Sequence, residues 1–197
     1  FVYQENGSKQ VRMANLAVAG SHTDTVMGGG RFDGALGVLG ALEATRSLRE
    51  GGVQLRHPLV VADYISEEAT DYAVACMGSL AMCTDHFKAE WLAREVGGIT
   101  LRQAIIDMGG QPDKLGQPLR KRGEIAAYLE LHIEQGGILD AEKINIGVVE
   151  GIVGIHWWEA TVTGMANHAG TTPMDQRHDA LLAASELVLA VNAAATE

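Results

Sequence analysis

A chain of 197 residues, 47% hydrophobic and 20% charged, is long enough to bury one full core or one domain and part of a second, which excludes extended disorder and miniature scaffolds. Its formal charge of -10 excludes a sequence-independent grip on nucleic acid, which needs clustered Lys and Arg against phosphates. No apolar run approaches the roughly 20 residues of a membrane helix, so neither nucleic acid nor membrane is an expected partner.

The chain opens at Phe1 in what reads as mid-domain sequence, without a targeting segment. Asn15 to Gly20 is a short apolar run that predicts a buried strand, delivering Ser21, His22, Thr23 and Asp24 at its carboxyl end. After a turn at Gly28 to Gly30, Asp33 stands at or near the N-cap of a helix with Ala35, Val38, Leu39 and Leu42 on one face. Pro58 to Ile65 predicts a second strand, followed by Ser66, Glu67 and Glu68. Helical patterns cover Asp71 to Met82, Lys88 to Val96 and Leu101 to Met108.

Cys76 and Cys83 would then share a helix face two turns apart, too distant for a disulfide and wrongly spaced for a metal clip. Reduced, buried thiols suit a cytoplasmic protein. The loop from Gly109 to Gly123 includes the basic stretch Arg120, Lys121 and Arg122, read as a solvated face. Ala126 to His132 predicts a third strand, leading to Glu134, Gln135 and a turn at Gly136 and Gly137.

Strands separated by helices predict an α/β fold with a mainly parallel sheet flanked by helices. From about Gly151 the texture changes. Ile155 to Thr163, with Trp157 and Trp158, reads as a strand, Asn167 to Pro173 as a polar turn, and the Ala/Leu-rich segment from Gln176 as a helix. This sets a domain boundary, with residues 1–150 as one unit and 151–197 as the beginning of a smaller one that cannot cover its own apolar faces.

His22, Asp33, Glu68 and His132 come from separate elements, and three strands each bring imidazole or carboxylate to a carboxyl end, where open sheets place their sites. Two His with Asp and Glu suit zinc, manganese or cobalt rather than calcium. A carboxylate such as Asp33 can bridge two ions roughly 3.5 to 4 Å apart. Taken singly, each residue has an ordinary reading: a strand-end His as a hydrogen-bonded residue, an Asp before a helix as its cap. Dinucleotide, phosphate-loop and serine-hydrolase motifs are missing; Gly28 and Gly30 are followed by Arg31, Phe32 and Asp33, not by a third glycine of the fingerprint.

The segments GSHTDTVMGGGRFDGALGV at 20–38, SEE at 66–68, LHIEQG at 131–136 and NHAGTTPM at 167–174, with Arg177 and Asp179, occur in order across nearly the whole chain. Together they resemble the amidase branch of the M20 metallopeptidase-like family, which contains N-carbamoyl-L-amino-acid hydrolase, allantoate amidohydrolase and β-ureidopropionase. The resemblance implies a metal-hydrolase catalytic domain followed by the start of an α+β dimerisation domain, and hence a homodimer. It implies two divalent ions, with zinc favoured. His22 and His132 would bind one, Asp33 would bridge, and Glu68 would bind the other. Asp24 would orient the His22 imidazole, and Glu67 would be the general base, shuttling a proton to the leaving nitrogen. His168 would polarise the substrate carbonyl across the subunit interface, and Gln135 and Arg177 would contact substrate, unless Arg177 instead pairs with Asp175 or Asp179.

The implied reaction is hydrolysis of a carbamoyl or ureido carbon–nitrogen bond in a small acid. Two alternatives stay open: an aminoacylase or dipeptidase with the same metals, and an inactive truncated copy serving only as an interaction piece. The chain departs from the family at Ala69, Thr70, Asp71 and Tyr72, where a Gly, a small residue, Arg and Phe are usual. Family members run to about twice this length, which implies further catalytic and dimerisation segments and a last metal-binding His. With the ligands counted here, the first ion would be held and the second weakly or not at all.

Overall fold

The computed structural model describes residues 15–83, 86–156 and 158–196; Trp157, named above in a strand, lies outside them. The chain divides into two units, Phe1–Ile146 and Gly147–Glu197, each described by itself.

In the first unit the elements run β1 (Leu16–His22), α1 (Ala35–Glu50), β2 (Leu59–Tyr64), α2 (Met77–Cys83), β3 (Glu95–Val96), β4 (Ile99–Thr100), α3 (Leu101–Asp107), β5 (Ile125–Leu129) and α4 (Ile138–Glu142), with 3-10 turns at Ala89–Ala93 and Pro112–Lys114. The strands β1, β2 and β5 form a parallel sheet in the order β2-β1-β5. Ala17 stands opposite Leu59 and His22 opposite Tyr64, so β1 and β2 end together, while β5 ends at Leu129 opposite Ala19. Parallel pairing points all three carboxyl ends the same way.

Helix α1 packs on β1 and β2, and α2 packs on β2, giving the expected parallel sheet flanked by helices. Leu16, Val18 and Ala62 form the sheet's core with Val60, Tyr64 and Ile125 packed against them. A second cluster, Val74, Met77, Phe87, Leu101 and Ile105, joins α2 to α3.

Several expected elements shift. Helix α1 buries Gly37, Val38 and Ala41, while Leu39 and Leu42 face outward. Gly37 explains the rotation: a Cβ there would strike the Leu131 carbonyl and the Ser21 side chain, so the helix meets the sheet on its smallest residues. The helix expected over Asp71 to Met82 is only α2, because its first part turns through Ala73 and Cys76, both at positive φ. Cys76 therefore precedes α2 instead of sharing a face with Cys83, and the thiols are half-buried and exposed respectively, not buried. The Lys88 to Val96 segment is a 3-10 turn followed by β3, which pairs antiparallel with β4 across Gly97 and Gly98. The third strand stops at Leu129, so His132 lies in the coil beyond it.

The second unit carries a 3-10 turn at Met174–Gln176 and α5 (Ala180–Thr196), which starts later than Gln176 because Asp179 caps it, its Oδ1 accepting from the Leu181 and Leu182 amides at 2.9 and 3.2 Å. The strand expected over Ile155 to Thr163 is not formed among the described residues, since an extended segment becomes a strand only when another pairs with it. Helix α5 has no buried residue, and its Leu181, Leu182, Leu187 and Val188 are exposed. Among the described residues no helix is long and apolar enough to cross a membrane.

Candidate metal centre

His22 is 2% exposed, and its Nδ1 lies 2.7 Å from the carbonyl oxygen of Asp24. A carbonyl only accepts, so Nδ1 carries the proton and Nε2 a lone pair. His132 repeats the arrangement, with Nδ1 2.9 Å from the Ile133 carbonyl. The two Nε2 atoms then face each other at 3.4 Å. Asp33, 6% exposed, places Oδ1 3.4 Å from the His132 Nε2. Ligand atoms of all three residues lie within 4.8 Å of one another. Acceptors converging this closely repel unless a cation or a proton sits among them. Two imidazoles and a carboxylate are a donor set that fits a divalent ion.

Local structure explains how these side chains arrive. Gly34, at φ 60°, is the N-cap of α1, and a Cβ on it would collide with the His22 ring and carbonyl. Its bare backbone lets the chain turn tightly enough to bury Asp33 beside the imidazoles, so Asp33 serves the cluster instead of capping the helix. On the other side Ser21, 1% exposed, donates to Glu130 Oε1 at 2.5 Å, and Tyr128 donates to Glu130 Oε2 at 2.8 Å. Glu130 thus ties the coil before His132 onto β1 beside His22. Burial, followed by the hydrogen bond to Glu130, pushes the Tyr128 phenol well above its ordinary range.

Gln135, at φ 55°, donates its amide to Asp33 Oδ1 at 3.0 Å and so braces that carboxylate. Asp24 holds the His22 imidazole through its carbonyl; its carboxylate stands 3.9 Å from that nitrogen and turns away. The two carboxylate oxygens accept from the backbone amides of Glu67, at 3.2 Å, and Glu68, at 3.1 Å. The acidic pair follows β2 through a turn in which Ser66 has φ 51°. Glu68 does not join the three-residue group, and the Glu67 carboxylate accepts from the Ser79 hydroxyl at 3.0 Å. Burial, then the charge of Glu67, pushes the nearby Cys76 thiol up to about 11. Ser79 and Glu130 were not singled out from the sequence, because each reaches its partner only through tertiary packing.

In the second unit, His168 Nδ1 accepts from the amides of Gly170 and Thr171 at 3.0 and 3.2 Å, which leaves Nε2–H as an outward donor. Arg177 donates Nη2 to the Ala169 carbonyl at 2.6 Å and Nε to the Thr172 carbonyl at 3.1 Å, so its guanidinium clamps the His168 loop. His168, Asn167, Arg177 and His178 line a cleft of about 480 Å³ within this unit.

The chain is 40% identical over 175 residues to an N-carbamoyl-L-amino acid amidohydrolase of Geobacillus stearothermophilus, covering 89% of this chain and 43% of the relative. It is 40% identical over 176 residues to a ureidoglycolate hydrolase of Oryza sativa, covering 87% of this chain and 36% of that one. A hydantoinase/carbamoylase family amidase from Burkholderia multivorans superposes with a TM-score of 0.67 at 36% identity, over 93% of this chain and 44% of that structure. The chain therefore spans less than half the length of these relatives. The model of peptidase family M20/M25/M40, a metal-dependent hydrolase family, matches residues 14–197, and with His22, Asp33 and His132 gathered as a possible metal group, the chain belongs to that family.

Proposed function

We propose that the chain is part of a metal-dependent hydrolase that cleaves a carbamoyl or ureido carbon–nitrogen bond in a small acid such as an N-carbamoyl-L-amino acid or allantoate. The observation that carries this reading is the pair of Nε2 lone pairs, His22 against His132 at 3.4 Å with Asp33 beside them, on a chain whose relatives bear carbamoyl and ureido hydrolase names.

A divalent ion on His22, Asp33 and His132 would supply Lewis acidity to a substrate carbonyl and acidity to water. Glu67 takes the proton of the attacking water and returns it to the leaving nitrogen. His168 would polarise the carbonyl of a neighbouring subunit's substrate, donating from Nε2–H as charge develops on the oxygen. Arg177 and Gln135 act by holding His168 and Asp33, and Asp24 by holding both His22 and the acidic pair. A second ion would require Glu68, with Asp33 as the bridge; zinc is favoured, with manganese or cobalt as alternatives. Residues 1–150 would belong to the catalytic domain and 151–197 to a dimerisation domain of a cytoplasmic homodimer.

The test is ammonia release from N-carbamoyl amino acids and allantoate by the polypeptide as encoded, with and without chelator, and in Glu67→Gln. Loss of turnover by about 10²- to 10⁴-fold in Glu67→Gln with metal content unchanged is expected. Turnover that survives both chelation and this substitution would sink the reading. The peptidase description of the family favours one second reading, hydrolysis of dipeptides or N-acyl amino acids, which the same assay on those substrates would reveal.

A further inference from the structure

Glu67 is held in two independent ways. Its backbone amide donates to Asp24, while its side chain meets a different element, α2. The amino end of α2 is fastened to the loop that carries Glu67: Cys76, Met77 and Gly78 donate their amides to the carbonyls of Glu67, Ser66 and Ile65 at 2.9, 3.0 and 2.9 Å. These are donors that the start of a helix leaves without intrahelical partners, so the loop's carbonyls satisfy the helix and the helix takes its register from the loop.

One consequence of that register is the place of Ser79. Its hydroxyl lies 3.0 Å from Glu67 Oε2 and 3.1 Å from the Cys76 carbonyl. It has a single hydrogen to give, and an ionised carboxylate is a stronger acceptor than a neutral carbonyl, so the hydrogen goes to Glu67. A glutamate side chain otherwise moves among several rotamers, and a base that must meet a water within hydrogen-bond reach loses rate for each rotamer that points elsewhere.

We infer that Ser79 is a positioning residue: its hydroxyl restrains the Glu67 carboxylate to one orientation. The inference rests on Glu67 being the general base, and it names a residue outside the candidate metal group of His22, Asp33 and His132. Alanine at this half-buried helical position keeps helix propensity, so Ser79→Ala preserves α2.

The experiment compares Ser79→Ala, Ser79→Thr, Glu67→Gln and the Glu67→Gln/Ser79→Ala double variant in the polypeptide as encoded. Ser79→Ala is expected to lower kcat by about tenfold with KM within about twofold and metal content unchanged. Ser79→Thr, which keeps the hydroxyl, restores most of the rate, and Ser79→Ala adds no loss on top of Glu67→Gln. In parallel, the ¹³C carboxyl resonance of Glu67, assigned by its disappearance in Glu67→Gln, shifts in Ser79→Ala and returns in Ser79→Thr; this reads the contact whether or not the polypeptide turns substrate over. An unmoved Glu67 resonance in Ser79→Ala overturns the inference, as does an unchanged kcat beside an inactive Glu67→Gln. An active Glu67→Gln overturns the base assignment instead and is thereby told apart.

Discussion

The Nε2 atoms of His22 and His132 stand 3.4 Å apart while both Nδ1 atoms point at backbone carbonyls, so two lone pairs are aimed at each other. No neutral arrangement of these tautomers places a hydrogen between them, and a cation resolves the conflict. Replacing either histidine by alanine is expected to lower divalent-ion affinity by more than the roughly 10- to 100-fold typical of losing an outer hydrogen-bond partner of a ligand. Zinc titration by calorimetry, with metal content per chain measured after dialysis, checks this; an affinity equal to the parent's would remove His22 and His132 as ligands.

Gly34→Ala should damage the same site from behind. The backbone there has φ 60°, and the added methyl would meet the His22 ring, so strain and displacement act together. A loss of about 1 to 3 kcal/mol of stability is expected from the backbone conformation alone, read from the urea midpoint, accompanied by weaker metal binding. A variant as stable as the parent with undiminished metal affinity would contradict the packing described.

Asp24 joins the histidine side of the site to the acidic side, since its carbonyl holds the His22 imidazole while its carboxylate holds the Glu67 and Glu68 amides. Asp24→Ala keeps the carbonyl and removes the carboxylate. Amide exchange at Glu67 and Glu68 should then quicken by on the order of tenfold, since charge-assisted hydrogen bonds are worth about 1.5 to 3 kcal/mol and this carboxylate is partly solvated. The His22 ring resonances should move little. If instead the imidazole reorients and the two amides stay protected, the carboxylate serves His22 after all.

Arg177 is expected to matter through the His168 loop. Its guanidinium bridges the Ala169 and Thr172 carbonyls, a planar fork that a lysine ammonium cannot reproduce. Arg177→Ala and Arg177→Lys should both speed exchange of the Gly170 and Thr171 amides, which donate to His168 Nδ1. Recovery of parental protection in Arg177→Lys would show that charge alone suffices.

The fold was legible where local pattern and tertiary context agree. Leu16 to Gly20 and Leu59 to Tyr64 are β-branched or apolar runs ending in polar clusters, and α3 is opened by Thr100, whose hydroxyl accepts from the Gln103 amide at 3.1 Å. The β3–β4 ribbon carried a readable signal in Gly97 and Gly98 between apolar residues, a turn pair that outweighs the helical pattern before it. Helix α1 was misjudged in rotation, because its apolar residues surround more than one face and only the close approach of Gly37 to Leu131 and Ser21 selects which is buried.

What the sequence by itself determined was the residue types of the candidate metal group and their order along the chain, because side-chain chemistry is a local property. Tertiary structure alone decided which atoms meet. It set the imidazole tautomers through the carbonyls of Asp24 and Ile133, and it turned Asp24 toward the backbone of Glu67 and Glu68. It also gave Gln135 to Asp33 and brought Ser79 to Glu67. Such contacts depend on turns at Ser66, Cys76 and Gln135, each at positive φ where residue type gives little warning, and on a parallel register that no single segment encodes.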